Sequence, residues 1–233
     1  MIHSPLDHDE YDQLSDSDGV IRVRDSRTEL TIVAPGADLA AVIAGTAAHD
    51  PAQALRIVTT LDSVAEVAEV LEPLPLSDCT LMPYEPADLD LVVVGCWGGV
   101  IYVSEPGLAG DLTDFAELEV LNQRRLHPEA RIVSSVFLDM VADLAEVIIA
   151  LPGVEPVREF NDSEEIRVEG DLSALLHALG CGEASDLDFE DFRRRALGFA
   201  SHDAGPERLL ASTFRVRRPE DIVWGMEDVW IRQ

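Results

Sequence analysis

The sequence predicts an α+β fold, in which a mixed, mainly antiparallel sheet packs against several amphipathic helices. Three observations support this prediction. Short apolar runs occur in pairs around turn residues, which is typical of β-hairpins. Helical spacings with capping residues stand between these pairs. The chain has 233 residues, of which 47% are hydrophobic, so it is long enough to bury a core. We expect a mobile acidic arm over residues 1–19 and an α+β domain over 20–233, as one unit or as the halves 20–110 and 111–233.

The predicted elements of the first half are a hairpin over 20–33, a helix over 38–48, a helix from Pro51, a helix from Ser63, and a strand–turn–strand unit over 89–104. Ser63 and Glu66 have the spacing of a capping box, in which two side chains satisfy free helix amides, and Pro73 would end that helix. Residues 89–104 read LDLVVVGCWGGVIYVS. Two apolar runs around a glycine-rich turn predict two buried strands.

The predicted elements of the second half are a helix that Asp114 can cap and that carries Phe115, Leu118 and Leu121, a strand over 131–137, a helix capped by Asp139, a strand over 165–169, a helix capped by Asp171, a helix over 189–199, and strands over 212–217 and 228–232. In the helix after Asp171, leucines follow at helical spacing and Gly180 is placed to end it. Residues 38–43 match 143–148 at five of six positions, which fits a duplicated β-α unit or chance in an alanine-rich chain.

The absence of lysine and the strongly negative charge exclude several classes of function. The chain has 45 acidic and 17 basic residues, all of them arginine, for a formal net charge of −28. Without lysine there is no Walker A lysine, no Schiff base and no kinase ATP-anchoring lysine. Between Arg56 and Arg124 the chain has thirteen carboxylates and no basic side chain. This charge distribution argues against nucleic acid as a partner, because phosphate binding requires a basic surface.

The three cysteines form no C-x-x-C pair, which is typical of a reduced cytoplasm. We find no signal peptide and no run long enough to span a membrane, and we expect a cytoplasmic protein. Cys96 is expected to be a buried, inert thiol. The glycines at 95–99 precede a strand, whereas a dinucleotide fingerprint requires a helix there. No pattern of metal ligands is complete, so we predict neither a metal nor a cofactor.

The candidate binding residues are Trp97 at the glycine turn, the neighbouring acids Glu85, Asp88 and Asp90, and the arginines Arg215 and Arg217. The two arginines alternate along a predicted strand and would share one face, where they could hold a carboxylate or phosphate. They could equally pair with the protein's own acids, such as Glu227 or Asp228 across a final hairpin.

Three stretches carry a resemblance to a known family: Leu89–Pro106, Asp171–Gly180, and Phe214–Arg217 together with Met226–Asp228. In these stretches the chain resembles members of an uncharacterised actinobacterial family of unknown function. The resemblance implies a similar length and a cytoplasmic location, and it implies no activity.

Our leading hypothesis is an interaction protein whose acidic surface captures a basic protein, as immunity or inhibitor proteins do. The alternative is a small enzyme that uses Asp, Glu or His in a cleft on a small cationic or metal-bound substrate. This alternative predicts a concave site with convergent carboxylates of perturbed pKa. A third interpretation is that the acidity only serves solvation in a salty or GC-biased cytoplasm.

Overall fold

The computed structural model describes residues 27–81, 83, 86–110, 114–139, 143–161, 166–181, 189–199 and 205–230. Within these ranges the chain forms the predicted α+β fold, with six helices and one antiparallel sheet of ten strands. The expected acidic arm at 1–19, the first strand of the expected hairpin at 20–24, and Glu85 lie outside the described residues. Among the helices that are described, none has the length and apolar character needed to cross a membrane.

The strands are β1 (Arg27–Val33), β2 (Glu66–Val70), β3 (Leu74–Pro75), β4 (Leu91–Trp97), β5 (Val100–Ser104), β6 (Arg131–Asp139), β7 (Asp143–Ala150), β8 (Val157–Asn161), β9 (Ile166–Glu169) and β10 (Leu210–Arg217). Their order is β2-β10-β4-β5-β1-β6-β7-β8-β9, and β3 also pairs with β10. The last strand of the chain therefore lies between two strands of the first half.

The helices are α1 (Leu39–Ile43), α2 (Pro51–Val58), α3 (Asp114–Leu126), α4 (Leu172–Ala178), α5 (Phe189–Leu197) and α6 (Glu220–Trp230). They cover both faces of the sheet. Helices α2, α3 and α6 share an apolar cluster with Val92 and Val94, whereas α1, α4 and α5 share another with Val93 and Trp97. Because successive side chains of a strand point to opposite faces, all seven residues of β4 are buried. This double cover explains the long apolar run at 91–103.

Several predicted elements are confirmed. The 89–104 stretch forms β4 and β5, joined at Gly98 and Gly99, both of which have positive φ. Asp171 caps α4 by accepting a hydrogen bond from the Ala174 amide, and Gly180 beyond its end has a φ of 69°. Strand β6, helix α5 and strand β10 also lie where the sequence places them.

The helix predicted from Ser63 is wrong, because residues 66–70 form the edge strand β2. Its backbone pairs with β10, and Glu66 and Glu69 stand opposite Arg217 and Arg215. The capping-box spacing is local, whereas the partner strand lies about 150 residues away in sequence. Pairing with that strand overrides the local helix signal.

The helix predicted after Asp139 is also wrong, because β7 forms a hairpin with β6. Both faces of β7 are covered, so its buried residues 148–150 read as a continuous apolar run that resembles a helix as much as a strand. The segment that resembles it, 38–43, contains the short helix α1. The two segments therefore differ in structure, and they are not copies of one β-α unit.

The strand predicted at 228–232 is wrong as well, because α6 continues to Trp230. Every fourth residue of that helix from 222 onward is buried on the same side: Ile222, Met226 and Trp230. Gly225 within the helix and the short alternating pattern after it concealed this periodicity.

Candidate functional site

A cleft of about 370 Å³ lies beside α3 on the sheet face that α3 and α6 cover, and we call it the Glu119 cleft. Its walls come from four separate segments: the 62–63 loop, the 105–108 turn, α3, and the first turn of α6. A volume of this size falls within the range of pockets that hold small molecules.

The inner face of α3 carries a polar stripe beside the apolar Ala116 and Val120. Glu119, Asn122 and Gln123 stand at i, i+3 and i+4, and all three are buried. The helix predicted from Asp114 is confirmed, and two of the apolar residues named for it, Leu118 and Leu121, are 54% and 43% exposed. The helix turns its polar stripe towards the cleft and the protein interior, and these leucines form part of the cleft's rim.

Glu119 is held by three donors. Its Oε2 accepts a hydrogen bond from the Asp62 amide at 2.8 Å, and its Oε1 accepts from Gln123 Nε2 at 2.8 Å and from Asn122 Nδ2 at 3.3 Å. Burial raises the pKa of Glu119 to about 7, although the bonds from Gln123 and Asp62 oppose the shift. Both protonation states are thus populated near neutral pH, which is the property of a general acid or base.

Beneath the cleft, Glu105 forms a buried ion pair with Arg218. Their Oε2 and Nη1 atoms are 2.8 Å apart, and both side chains are 1% exposed. Arg218 also donates from Nε to the Leu89 carbonyl at 2.8 Å. Residue 107 is a glycine because a Cβ there would lie 2.6 Å from Glu105 Oε1. The pair is therefore fixed from several sides.

Four buried polar atoms at this place have no hydrogen-bond partner within the described chain: Ser63 Oγ, Glu105 Oε1, Gln123 Oε1 and Arg218 Nη2. Ser63 and Glu105 line the cleft, while Gln123 and Arg218 stand behind Glu119 and Glu105. Buried polar atoms are nearly always hydrogen-bonded. The four atoms include oxygens that can accept a hydrogen bond and the Arg218 nitrogen that can donate one, and this combination suits a polar ligand in the cleft.

The charge of the cleft is negative. Its acidic lining residues are Asp62, Glu105, Glu119 and Asp221, and Arg125 is its basic one. Arg218 compensates Glu105 from below. Arg125 donates from Nη2 to Asn122 Oδ1 at 2.8 Å, which holds its guanidinium against α3. The excess of carboxylates favours a cationic group on the ligand.

A histidine and a serine elsewhere resemble part of a nucleophilic site but do not form one. His49 Nε2 lies 2.8 Å from Ser212 Oγ, and His49 Nδ1 accepts a hydrogen bond from the Cys96 amide at 3.2 Å. Because Nδ1 is the acceptor in the neutral ring, Nε2 carries the hydrogen and donates it to Ser212. Burial lowers the pKa of His49, which preserves this neutral form. The ring cannot take the proton of Ser212.

The structure places the predicted contact residues away from the Glu119 cleft. Trp97 is 1% exposed, and its indole N–H donates to the Leu210 carbonyl at 2.7 Å, so its ring belongs to the core and not to the surface. Asp88 and Asp90 lie on a 3₁₀ turn over Pro86–Asp90, and Asp90 is exposed. The Cys96 thiol is buried as expected, and burial raises its pKa to about 12.

Arg215 and Arg217 share a face of β10 as predicted, but the final hairpin suggested by the sequence, which would bring residues 227 and 228 opposite them, does not form. Arg217 pairs with Glu66 at 2.9 Å, and Arg215 lies 3.7 Å from Glu69. Both acids belong to β2, which borders β10, whereas residues 227 and 228 lie in α6.

Sequence reasoning missed the cleft. Its one local signal is the E-x-x-N-Q stripe at 119–123, which marks a polar helix face but does not say that this face is buried. Within the described ranges, no group of three His, Cys, Asp or Glu side chains is placed to hold a metal ion.

A model of the "Family of unknown function (DUF6333)" matches residues 13–233. No curated protein and no solved structure matches the chain. The expected likeness to an uncharacterised family is thereby confirmed.

Proposed function

We propose, for a chain that belongs to the DUF6333 family of unknown function, that it binds a small organic cation in the Glu119 cleft and exchanges a proton with it. The observation that supports this proposal is a carboxyl that is 4% exposed, has a pKa of about 7 and borders a cleft of small-molecule size. This is the enzymatic alternative that the sequence left open. The actinobacterial source and the cytoplasmic location stay predictions.

The walls indicate the class of ligand. The excess of carboxylates in the cleft favours an ammonium or amidinium group, and Glu105 Oε1 is an acceptor that still has no partner in the described chain. The same cleft also has apolar lining residues, Phe115, Leu118 and Leu121. They favour a ligand that has a hydrocarbon part next to its cationic group. We therefore expect an amine with a short hydrocarbon part.

Each side chain has a distinct role in this proposal. Ionised Glu119 accepts a proton from the ligand, and neutral Glu119 returns it. Glu105 accepts a hydrogen bond from the cationic group, and Arg218 is a positioning residue that holds Glu105 in place. The donors to Glu119 from Asp62, Asn122 and Gln123 fix the orientation of its carboxyl.

Binding of n-butylammonium, followed by NMR shifts of the cleft residues, tests the proposal, with n-butanol as the uncharged probe of the same shape. Affinity should rise as the pH passes through about 7 and Glu119 ionises. Glu119→Gln should weaken binding about tenfold above that pH, as for a charge-assisted hydrogen bond, and little below it.

Glu72→Gln removes an exposed carboxylate outside the cleft and is the matched control. The proposal is wrong if n-butanol binds as well as the amine, or if Glu119→Gln leaves the pH profile of binding unchanged.

One observation favours the interaction hypothesis as a second candidate. Strands β2 and β3 and the Pro86–Asp90 turn all contact β10, so the acidic residues described between 66 and 81 and between 86 and 90 lie along one side of the sheet. Glu72, Asp78 and Asp90 are exposed there, and no arginine of the described chain pairs with them. We propose that this acidic edge (Glu72, Asp78 and Asp90) attracts a basic protein.

Titration with a nona-arginine peptide at low and high salt tests the second candidate. Neutralising Glu72, Asp78 and Asp90 together should weaken binding more than neutralising three exposed acids elsewhere, Glu129, Glu155 and Glu207. Equal losses would show only the attraction of net charge.

A further inference from the structure

Arg131 at the start of β6 and Arg195 in the last turn of α5 have no carboxylate partner in the described chain, as is also the case for exposed arginines such as Arg56. The chain has 45 acidic residues for 17 arginines, so a partly buried arginine without a carboxylate partner, as Arg131 is, is unexpected. Elsewhere the excess acid is used for pairing, as Arg217 and Arg218 are each 2.9 Å or less from a glutamate oxygen.

Both arginines line a second cleft of about 560 Å³, which we call the Arg131 cleft. The loop after β1 (Val33–Ala37), Leu151 and Pro152 after β7, and the end of α4 form its other walls. Because α4 and α5 cover the sheet face opposite to α3 and α6, this cleft is separate from the Glu119 cleft.

The local structure explains how Arg195 comes to this cleft. Three consecutive arginines go round α5, since successive helix residues are about 100° apart. Arg193 points inward and its Nη1 lies 3.6 Å from Glu29 Oε2, whereas Arg195 stays exposed on the other side of the helix. The structure turns one member of this triplet towards the cleft.

Arg131 is partly buried without a compensating charge. Burial lowers the pKa of Arg131, and no carboxylate opposes this shift. Glu129 lines the same cleft, but no ion pair joins it to either arginine among the residues that the structure describes. A guanidinium that is desolvated in this way gains most from an oxyanion, which it can bind through two parallel hydrogen bonds.

We infer that the Arg131 cleft binds a small organic oxyanion, with Arg131 and Arg195 on the anionic group and the apolar side chains of Pro35 and Leu151 against the rest of the ligand. A carboxylate and a phosphate ester share this chemistry. The net charge of −28 repels anions in general, so binding of an anion requires a site of this kind.

The Nε–Hε signals of the arginines in NMR give a direct test, with inorganic phosphate, acetate and n-butyrate as the probes at millimolar concentration. The signals of Arg131 and Arg195 should shift with a common affinity. Arg131→Gln and Arg195→Gln should each weaken binding about tenfold, the typical effect of losing a charge-assisted hydrogen bond. The exposed arginine of α2 gives the control Arg56→Gln, which loses the same charge and should bind as the wild type does.

The results distinguish a carboxylate ligand from a phosphate ester, and they distinguish a wrong proposal from a variant that fails to fold. Tighter binding of n-butyrate than of acetate and phosphate indicates an organic carboxylate, and tightest binding of phosphate indicates a phosphate ester. Arg195→Glu acts on an exposed position that folding tolerates, and it should abolish binding even if Arg131→Gln fails to fold. The inference is overturned if no probe shifts both arginine signals, or if Arg56→Gln weakens binding as much as the cleft variants do.

Discussion

Replacing Glu119 with glutamine should remove a pH dependence of stability that the wild-type protein shows near neutrality. Burial raises the pKa of this carboxyl from 4.5 to about 7, so the folded protein binds the proton more tightly than the unfolded chain does. The contribution of Glu119 to stability is therefore complete below about pH 4.5 and is lost as the pH rises through about 7.

The size of the effect follows from the same shift. At about 1.4 kcal/mol for each pKa unit, a rise from 4.5 to about 7 corresponds to about 3 kcal/mol across the whole window. His49 and His127 act in the opposite direction, because burial lowers the pKa of both and their neutral forms gain stability as the pH rises. Their effect is common to wild type and variant, so it cancels when the two proteins are compared.

Urea unfolding at a series of pH values from about 5 to about 8 measures this difference. The readout is the slope of the unfolding free energy against pH and not its absolute value, because an amide in place of the carboxylate also disturbs the donors around it. Glu72→Gln, at an exposed position, should keep the wild-type slope. Parallel curves for wild type and Glu119→Gln would refute both the raised pKa and the acid–base role built on it.

Three further predictions concern buried groups. Arg218→Gln should lower the free energy of unfolding in urea by about 3–5 kcal/mol, because it leaves Glu105 buried without its partner. Arg217→Gln should lower it by less than about 1 kcal/mol, because the side chains of that pair are 72% and 59% exposed although their separation is nearly the same. Equal losses would contradict the argument from burial. Gly95→Ala should lower the free energy of unfolding by about 3 kcal/mol, since the added Cβ would lie 2.1 Å from Trp97 Cζ2. Gly153→Ala should lower it by about 1 kcal/mol, because its Cβ meets open space and only the positive φ of 73° is unfavourable. Cys96 should resist iodoacetamide until the protein is unfolded, because its thiol is buried with a pKa of about 12, and labelling of Cys96 at the rate of the less buried Cys181 would disprove its inertness.

The elements that the sequence predicted correctly carry their signal locally. Helix α4 has a capping aspartate, leucines at helical spacing and a glycine after its end, and none of these depends on the rest of the fold. The β4–β5 hairpin has two apolar runs around a turn of two glycines with positive φ. In both cases the chain within about fifteen residues fixes the conformation.

The wrong helix from Ser63 depends on a partner that is distant in sequence. The segment at 66–70 has a helix start signal, yet it is a strand because β10 offers its edge and two arginines opposite two glutamates. The same pairing shows why composition alone overstated the acidic surface. Glu66 and Glu69 face arginines, and Glu105 is buried against Arg218, so part of the cation-free interval is neutralised by the C-terminal region.

The Glu119 cleft was beyond sequence reasoning for a related reason, since four segments separated by up to about 160 residues form its walls. Its composition nevertheless argues for a function. A helix packed on a sheet is most simply stabilised by an apolar inner face, and burying carboxyl and amide groups there costs free energy unless each is fully hydrogen-bonded. Here Gln123 Oε1 and Glu105 Oε1 have no partner in the described chain, while Leu118 and Leu121 are turned outward. An arrangement that gives part of this inner face, beside Ala116 and Val120, to a carboxyl of pKa about 7 next to a cleft is better explained by proton exchange with a bound molecule than by stability of the fold.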